Sequence, residues 1–234
     1  MKRLRIFGIL MAVLLMASCN KSVDQATGAG DVIIVSKQSG SNIVYGLSMY
    51  AYTYSAFSSV KVTTVADPGK TYTLKANQGF KTNFYYETPE SEFSTTKPVA
   101  STYTFSAIFD NGVIQEFQNT LTSDVLPIPT FDKCEYNDVN HQLEINWPLV
   151  DHASSYSINI LDSTKIVFSS AEIKDPAKGA YAVMTTGGGW AVGFLPASGK
   201  TYTVRLFAYM LEPGGATNNI QSISIAESHA VWGN

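Results

Sequence analysis

Apolar and polar residues alternate along most of the chain from residue 31 onward. A period of two residues is typical of a β-strand that buries one face, because successive side chains point to opposite sides of the strand. Residues 43–55 show the pattern most clearly and predict a strand with an apolar side and a tyrosine side. The apolar side holds Leu47, Met49 and Ala51, and the other side holds Tyr50, Tyr52 and Tyr54.

Turn signals separate these short segments at intervals of about 8–12 residues, a spacing that is typical of sandwiches and barrels. Residues 32–35 predict a short first strand. The run Asp67-Pro68-Gly69 predicts a turn between two strands. The pair Asn111-Gly112 supplies the positive φ values that a tight hairpin needs. No segment of this first half has a convincing helical period, so the sequence predicts an all-β fold.

The second half of the chain repeats the strand pattern. Three of its strands carry apolar residues at every second position, which predicts that these positions face inward. The predicted inward positions are Leu143, Ile145 and Trp147, then Tyr156, Ile158 and Ile160, and then Tyr202, Val204, Leu206 and Ala208. In the last strand, the alternating set is Ile220, Ser222, Ser224 and Ala226.

Residues 127–234 resemble a fibronectin type III module, through Trp147 on the second strand, Tyr156 on the third and Leu195 before Tyr202. In that family the tryptophan lies in the core and the later tyrosine bonds back to the backbone, so the resemblance implies structural roles for these four residues. Residues 31–122 more loosely resemble an immunoglobulin-like sandwich. We therefore expect two tandem immunoglobulin/fibronectin type III-like β-sandwiches, an architecture that hosts many unrelated functions.

The first nineteen residues have a basic start, an apolar run over residues 6–17, and small residues that end at Cys19. This is the layout of a secretory signal, and the run is shorter than the roughly 20 apolar residues that span a bilayer. The ending resembles the lipobox of bacterial lipoproteins, which implies cleavage before Cys19 and lipidation of that cysteine. The layout also resembles envelope lipoproteins of the Bacteroidota type.

These segments together predict the organisation of the chain. Pro127 and Pro129 mark a boundary between the two sandwiches. We expect a lipid-anchored protein of the cell envelope, in the outer membrane, and leave open whether it faces the periplasm or the cell surface. The predicted divisions are a signal peptide at 1–18, a lipidated tether at 19–30, an immunoglobulin-like sandwich at 31–124 and a fibronectin type III-like sandwich at 125–234.

Charge and cysteine content narrow the possible partners. Three of the 16 basic residues lie in the predicted signal, so the remaining chain carries 13 against 19 acidic residues, a net charge of −6. An acidic chain without a basic cluster argues against nucleic acid, whose phosphates require lysine or arginine. If Cys19 is lipidated, Cys134 has no intramolecular partner. We expect no cofactor.

The sequence contains no clear catalytic or metal motif. Gly-Lys-Thr occurs at Gly69 and Gly199, but the glycine that a phosphate loop needs five residues earlier is replaced by Thr64 and Phe194. The three histidines lack zinc-ligand spacing. We therefore expect no enzyme, and keep a glycosidase as the less favoured alternative because two distant carboxylates can meet in a fold. The histidines are His141, His152 and His229.

Aromatic residues carry the sharpest functional signal. Tyr50, Tyr52 and Tyr54 share a predicted strand side, and Trp190 follows three glycines. Such rings combine apolar area with a polar group, which suits glycans or a protein partner. Alternatively, the tyrosines only fill the outer side of a sheet. We expect a non-enzymatic binding or adhesion module, with a structural or assembly subunit of an envelope complex as the alternative.

Overall fold

A computed structural model describes residues 26–174, 178–213 and 219–233. These residues form β-strands joined by turns and loops, with a single 3-10 turn at Glu90–Glu92, which confirms the predicted all-β class. The strands are β1 Gly28–Ser39, β2 Asn42–Thr53, β3 Phe57–Thr64, β4 Asp67–Asn77, β5 Phe80–Glu87, β6 Ser101–Phe109, β7 Ile114–Leu121, β8 Lys133–Asn137, β9 Gln142–Asn146, β10 Ser155–Asp162, β11 Lys165–Ser169, β12 Ala180–Met184, β13 Lys200–Leu211 and β14 Ile220–Trp232.

Buried side chains form two hydrophobic clusters. The N-terminal cluster collects residues from Ala26 to Leu121, and the C-terminal cluster collects residues from Leu126 to Trp232. The inward positions predicted from alternation are confirmed, because each of them is buried. The exact domain limits at residues 124 and 125 stay a prediction. The confirmed positions are Leu47, Met49, Ala51, Leu143, Ile145, Trp147, Tyr156, Ile158, Ile160, Tyr202, Val204, Leu206 and Ala208.

One sheet runs through both halves of the chain, in the strand order β11-β10-β13-β14-β1-β2-β5-β4-β3-β6-β7, beside a separate sheet β12-β9-β8. The halves meet where β1 pairs in parallel with β14, from Ile34 opposite Ser222 to Lys37 opposite Ile225. We call this pair the seam. The described chain thus joins its first and last strands, which local alternation does not reveal.

Strand β1 begins at Gly28, so it overlaps the tether predicted for residues 19–30. Two glycines of the predicted tether, Gly28 and Gly30, lie in this strand and allow close packing against aromatic rings. A Cβ placed on Gly30 would lie 2.7 Å from the ring of Phe105, and one on Gly28 would lie 2.8 Å from the ring of Phe117. Glycine in a strand often marks such a close approach. The rest of the tether, the signal peptide and Cys19 lie outside the described residues.

Two connections test the predicted turns. Between β3 and β4 the turn is formed by Val65 and Ala66, so the prediction of a turn at Asp67-Pro68-Gly69 is wrong by two residues. Proline is tolerated at this place because Pro68 lies in the irregular first residues of β4, between Asp67 opposite Thr64 and Thr71 opposite Thr63. The hairpin at Asn111-Gly112 is confirmed, and Gly112 has the expected positive φ of 82°, but the expected positive φ at Asn111 is wrong.

The connection between the halves is held against β14 by Gln221. Its side chain accepts a hydrogen bond from the Thr122 amide at 3.4 Å and donates to the carbonyls of Thr122 at 3.1 Å and Asp124 at 3.3 Å. Gln221 and Ser222 are both fully buried, which interrupts the alternation of the strand. A register shift at this point of β14 places an extra residue in the strand, as in a β-bulge. The bulge lets two consecutive side chains face inward.

Two serines of β14 extend this polar contact. Ser224 Oγ donates to the Leu126 carbonyl at 2.8 Å, and Ser222 Oγ accepts from the Leu126 amide at 3.4 Å. Ser224 Oγ also lies 2.8 Å from Ser36 Oγ of β1, so the same serine binds both the connection and the neighbouring strand. Buried polar groups need such partners. The alternating serines of β14 therefore serve the junction between the halves.

Candidate functional site

The outer surface of the long sheet is continuous across the seam. Tyr209, Ile223, Val35 and Gly46 lie directly opposite one another in β13, β14, β1 and β2, so they form one row of side-chain positions. The residues between them along each strand point into the hydrophobic clusters. We call this outer side of β5, β2, β1, β14 and β13 the seam face; Asp31, Ile33 and Ser48 on it are buried, and the side chains of Phe93 and Thr88 lie against Gly46. Its aromatic members are Tyr50, Tyr52, Tyr85, Phe207 and Tyr209.

The three tyrosines predicted as a platform differ in exposure. Tyr50 is half-buried between Tyr85 and Asp31, its direct neighbours on β5 and β1. Tyr52 is 48% exposed. Tyr54 is fully exposed but follows Thr53, the last residue of β2, so the prediction that it shares the strand side is wrong. Strand β2 therefore contributes two ordered rings to the seam face.

Burial raises the pKa of two tyrosines of the seam face, Tyr50 and Tyr209. It raises the pKa of the Tyr50 hydroxyl, with Glu87 adding to the shift and Ser48 opposing it. Burial also raises the pKa of Tyr209, whose hydroxyl lies 2.7 Å from Ser157 Oγ. Each hydroxyl therefore stays protonated at neutral pH and can both donate and accept hydrogen bonds. Tyr50 also contributes to the raised pKa of Tyr209.

An acidic residue, Asp31, lies buried beside Tyr50 at the seam. Its Oδ2 accepts a hydrogen bond from the Ile220 amide of β14 at 3.3 Å, whereas its Oδ1 is buried without a hydrogen-bond partner. Burial raises the pKa of Asp31 from its ordinary 3.8 to about 6, and the charge of Glu212 contributes. The carboxylate is therefore held where its charge is costly.

Asn119 of β7 bonds to both Glu212 and strand β1. Its Nδ2 donates to Glu212 Oε1 at 2.9 Å, and its Oδ1 accepts from the Val32 amide at 3.3 Å. The Val32 amide lies in the part of β1 that precedes the seam. It thus bonds to a side chain of β7 instead of to the backbone of a neighbouring strand. Sequence reasoning missed Asp31, Asn119 and Tyr209. The signal for Asp31 was an acidic residue directly before a run of aliphatic ones, and the signal for Tyr209 was its outward position in the alternation of β13.

Trp190 lies apart from the seam face. Its ring packs 5.0 Å from Phe168 and 5.3 Å from Trp232, measured between ring centroids, at the edge of the C-terminal cluster. Its Nε1 donates to the carbonyl of Met184 at 2.9 Å. The cluster lies on the opposite side of the sheet from the seam face. A ligand contact of Trp190 stays a prediction, separate from that of the tyrosines.

The four residues that carried the fibronectin-like resemblance differ in burial. Trp147, Tyr156 and Tyr202 are buried, whereas Leu195 is exposed. Trp147 is buried 5.4 Å from the ring of Tyr156, whose hydroxyl accepts from the Val150 amide at 2.8 Å. The Tyr202 hydroxyl accepts from the Ala197 amide at 2.9 Å, which is the kind of backbone bond that the resemblance implies. Leu195 is 71% exposed, and its neighbour Phe194 packs against the cluster instead.

Cys134 is half-buried, and burial raises its pKa to about 11. The thiol is therefore protonated at neutral pH and a poor nucleophile. Within the described ranges, no group of three or more histidine, cysteine, aspartate or glutamate side chains is placed to hold a metal ion. The same part of the chain has no helix long and apolar enough to cross a bilayer.

A concave region lies beside the connection between the halves, with a volume of about 590 Å³. Lys97, Asp124, Asp151 and His152 contribute charged or titratable groups, and Met210 contributes apolar surface. Asp124 Oδ2 already accepts from Thr122 Oγ1 at 3.1 Å, and His152 Nε2 lies 3.3 Å from Asp151 Oδ2. Asp124, Asp151 and His152 are thus engaged by neighbouring residues. The seam face, with its row of rings, is the stronger candidate.

Comparisons with known proteins place the chain in no family. No protein-family model and no curated protein matches it. Among solved structures it is similar to a "Biofilm associated protein - BSP domain", with 9% sequence identity and a TM-score of 0.27. The match covers 94% of this chain and 54% of that one, so this chain spans about half the length of that structure. The fold itself defines the class, an all-β protein.

Proposed function

We propose that the protein is a non-enzymatic, lipid-anchored binding module of the bacterial envelope that holds a glycan on its seam face. The observation that carries the proposal is the pairing of Tyr50 with Tyr85, beside the half-exposed Tyr52, on the outer side of an ordered sheet. A phenol ring offers an apolar face for the C–H groups of a sugar and a hydroxyl for hydrogen bonds. The lipid anchor rests on the resemblance of the N-terminal segment, including Cys19, to a lipobox.

Rigid placement of the rings supports this proposal. Met49 and Ala51, which alternate with Tyr50 and Tyr52 on β2, are completely buried in the N-terminal cluster. The backbone that carries the rings is therefore held from below and paired with β1 and β5 on both sides. A preorganised surface loses little conformational entropy when it binds a ligand.

A protein partner is the alternative, and a specific observation favours it. The seam face contains half-buried aliphatic side chains beside its rings, namely Val35, Ile223 and Ile225. Apolar area of this kind is also suited to a subunit contact. A structural or assembly role would appear as a protein that co-purifies stably while no glycan binds.

The substitution Tyr52→Ala tests the glycan proposal. Tyr52 is exposed enough to contact a ligand, so we expect its loss to weaken binding roughly tenfold, as removal of a stacking ring with its buried area implies. The measurement is affinity for a panel of immobilised polysaccharides, with Phe80→Ala as the matched control. Phe80 is an aromatic residue of β5 that is 64% exposed and lies off the seam face. Unchanged binding to every polysaccharide that the unmodified protein binds would refute the proposal.

A further inference from the structure

We infer that the glycan held by the seam face carries an acidic group, and that Lys75 of β4 recognises this group beside the ring of Tyr85. The inference rests on the proposed function and adds the chemical class of the ligand to it. It also extends the site by one strand, because β4 lies next to β5 in the sheet.

The strand pairing places Lys75 at the end of a row of rings. Tyr50 of β2 is directly opposite Tyr85 of β5, and Tyr85 is directly opposite Lys75 of β4. Side chains that are directly opposite on one side of neighbouring strands have Cβ atoms about 5 Å apart. Lys75 is exposed, whereas Leu74 beside it is buried in the N-terminal cluster. Lys75 therefore lies on the same outer side of the sheet as the two rings.

The charge of Lys75 is available to a ligand. In the described part of this half, the lysines Lys81 and Lys37 form ion pairs with Asp110 and Glu90, and neither pair includes Lys75. A lysine ammonium donates hydrogen bonds only, and its bonds to an ionised acceptor are stronger than those to a neutral one. A carboxylate or sulfate of a ligand can therefore bind Lys75 without displacing an existing ion pair.

The acidic side chains near the rings lie at the other end of the row. Asp31 is opposite Tyr50 on β1 and is buried, and Glu87 is opposite Ser48 of β2. Burial raises the pKa of Tyr50, and the charges of Glu87 and Asp31 add to this effect. The row thus runs from acidic groups near Tyr50 to a cation beyond Tyr85. A sugar that stacks on the rings has complementary charge when its acidic group points toward β4.

The other charged groups leave Lys75 as the cation in register with the rings. Near Tyr209 in the second half, Glu172 forms an ion pair with Lys174 at 3.2 Å. On β3, the exposed Lys61 lies opposite Thr73, two residues before Lys75, and adds positive charge on the strand next to β4. The positive charge that an acidic sugar unit needs therefore lies at the β4 end of the row.

The test uses pairs of ligands that differ in charge and share the same sugar backbone. The pairs are oligogalacturonate with its methyl ester, and dextran sulfate with dextran, titrated by calorimetry against the full chain. The variant is Lys75→Met, which keeps an unbranched side chain and removes the ammonium. The matched control is Lys165→Met, because Lys165 is an exposed lysine of β11, the strand at the far end of the sheet. Thermal unfolding of each variant verifies that it is folded.

We expect the unmodified protein to bind the charged member of at least one pair about fivefold more tightly, as a single exposed ion pair can contribute. In Lys75→Met the two members of that pair should bind equally within about twofold, whereas Lys165→Met should keep the preference. The chain is acidic overall, so a non-specific attraction for polyanions is not the expected cause of a preference.

The outcomes separate the inference from the proposed function. If Tyr52→Ala weakens glycan binding but charged and uncharged members bind alike, the acidic ligand is refuted and the proposed function stands. The same conclusion follows if Lys75→Met retains as much preference as Lys165→Met, or if only uncharged polysaccharides bind. If no glycan binds at all, both claims are refuted and a protein partner replaces them.

Discussion

Replacing Gln221 with alanine should lower the free energy of unfolding by about 3 kcal/mol, because a buried cavity and unpaired polar groups would remain together. Gln221 is completely buried, and its amide binds the backbone of Thr122 and Asp124. The removed amide would leave these backbone groups without their partner at the junction of the halves. Equilibrium unfolding in urea measures the effect.

The matched control for this prediction is Gln118→Ala. Gln118 is an exposed residue of β7 that donates to Thr104 Oγ1 at 3.2 Å, so its loss removes a hydrogen bond that water can replace. We expect the control to change stability by less than about 1 kcal/mol. Equal effects of the two substitutions would show that the connection between the halves is not held by Gln221.

Replacing Asp31 with asparagine should stabilise the protein at neutral pH by about 2 kcal/mol, since one pKa unit corresponds to roughly 1.4 kcal/mol and relaxation around the site reduces the full value. The folded pKa of about 6 lies above the ordinary 3.8. The folded state therefore binds the proton more tightly, and the unmodified protein loses stability as the pH rises from about 4 to above 6. An amide carries no charge and avoids this loss.

The measurement for Asp31→Asn is urea unfolding at pH 4.5 and pH 7.5. The difference between the variant and the unmodified protein should be small at pH 4.5 and large at pH 7.5. Asp67→Asn, at the exposed start of β4, is the control and should give the same small change at both pH values. A stability gain of Asp31→Asn that does not depend on pH would contradict a costly buried charge at the seam.

The sequence predicted the parts of the fold that depend on local alternation. The burial of Leu47, Met49 and Ala51 follows from the two-residue period of one strand, and so does the outward position of Tyr50 and Tyr52. The two-residue alternation did not predict which side chains are buried where the strand backbone is irregular. The bulge at Gln221 turns two consecutive residues inward, and no propensity marks it.

The remaining features depend on contacts between distant parts of the chain. Gly28 and Gly30 have the composition of a linker, and only the rings of Phe105 and Phe117 above them explain why glycine is needed. The seam is a parallel pair between strands that are almost the whole described chain apart. Tyr209 was therefore visible as an outward residue of β13, but its place beside Tyr50 required the topology.

The account depends most on the claim that the seam joins both halves into one sheet. All three tryptophans, Trp147, Trp190 and Trp232, lie in the second half, so their fluorescence reports on that half, whereas far-UV circular dichroism reports on strands of both halves. The direct test is urea unfolding of the unmodified protein, followed by both signals in the same samples. The account predicts coincident transitions with one midpoint. Two separate midpoints would show that the halves unfold independently and would contradict a rigid face across the seam.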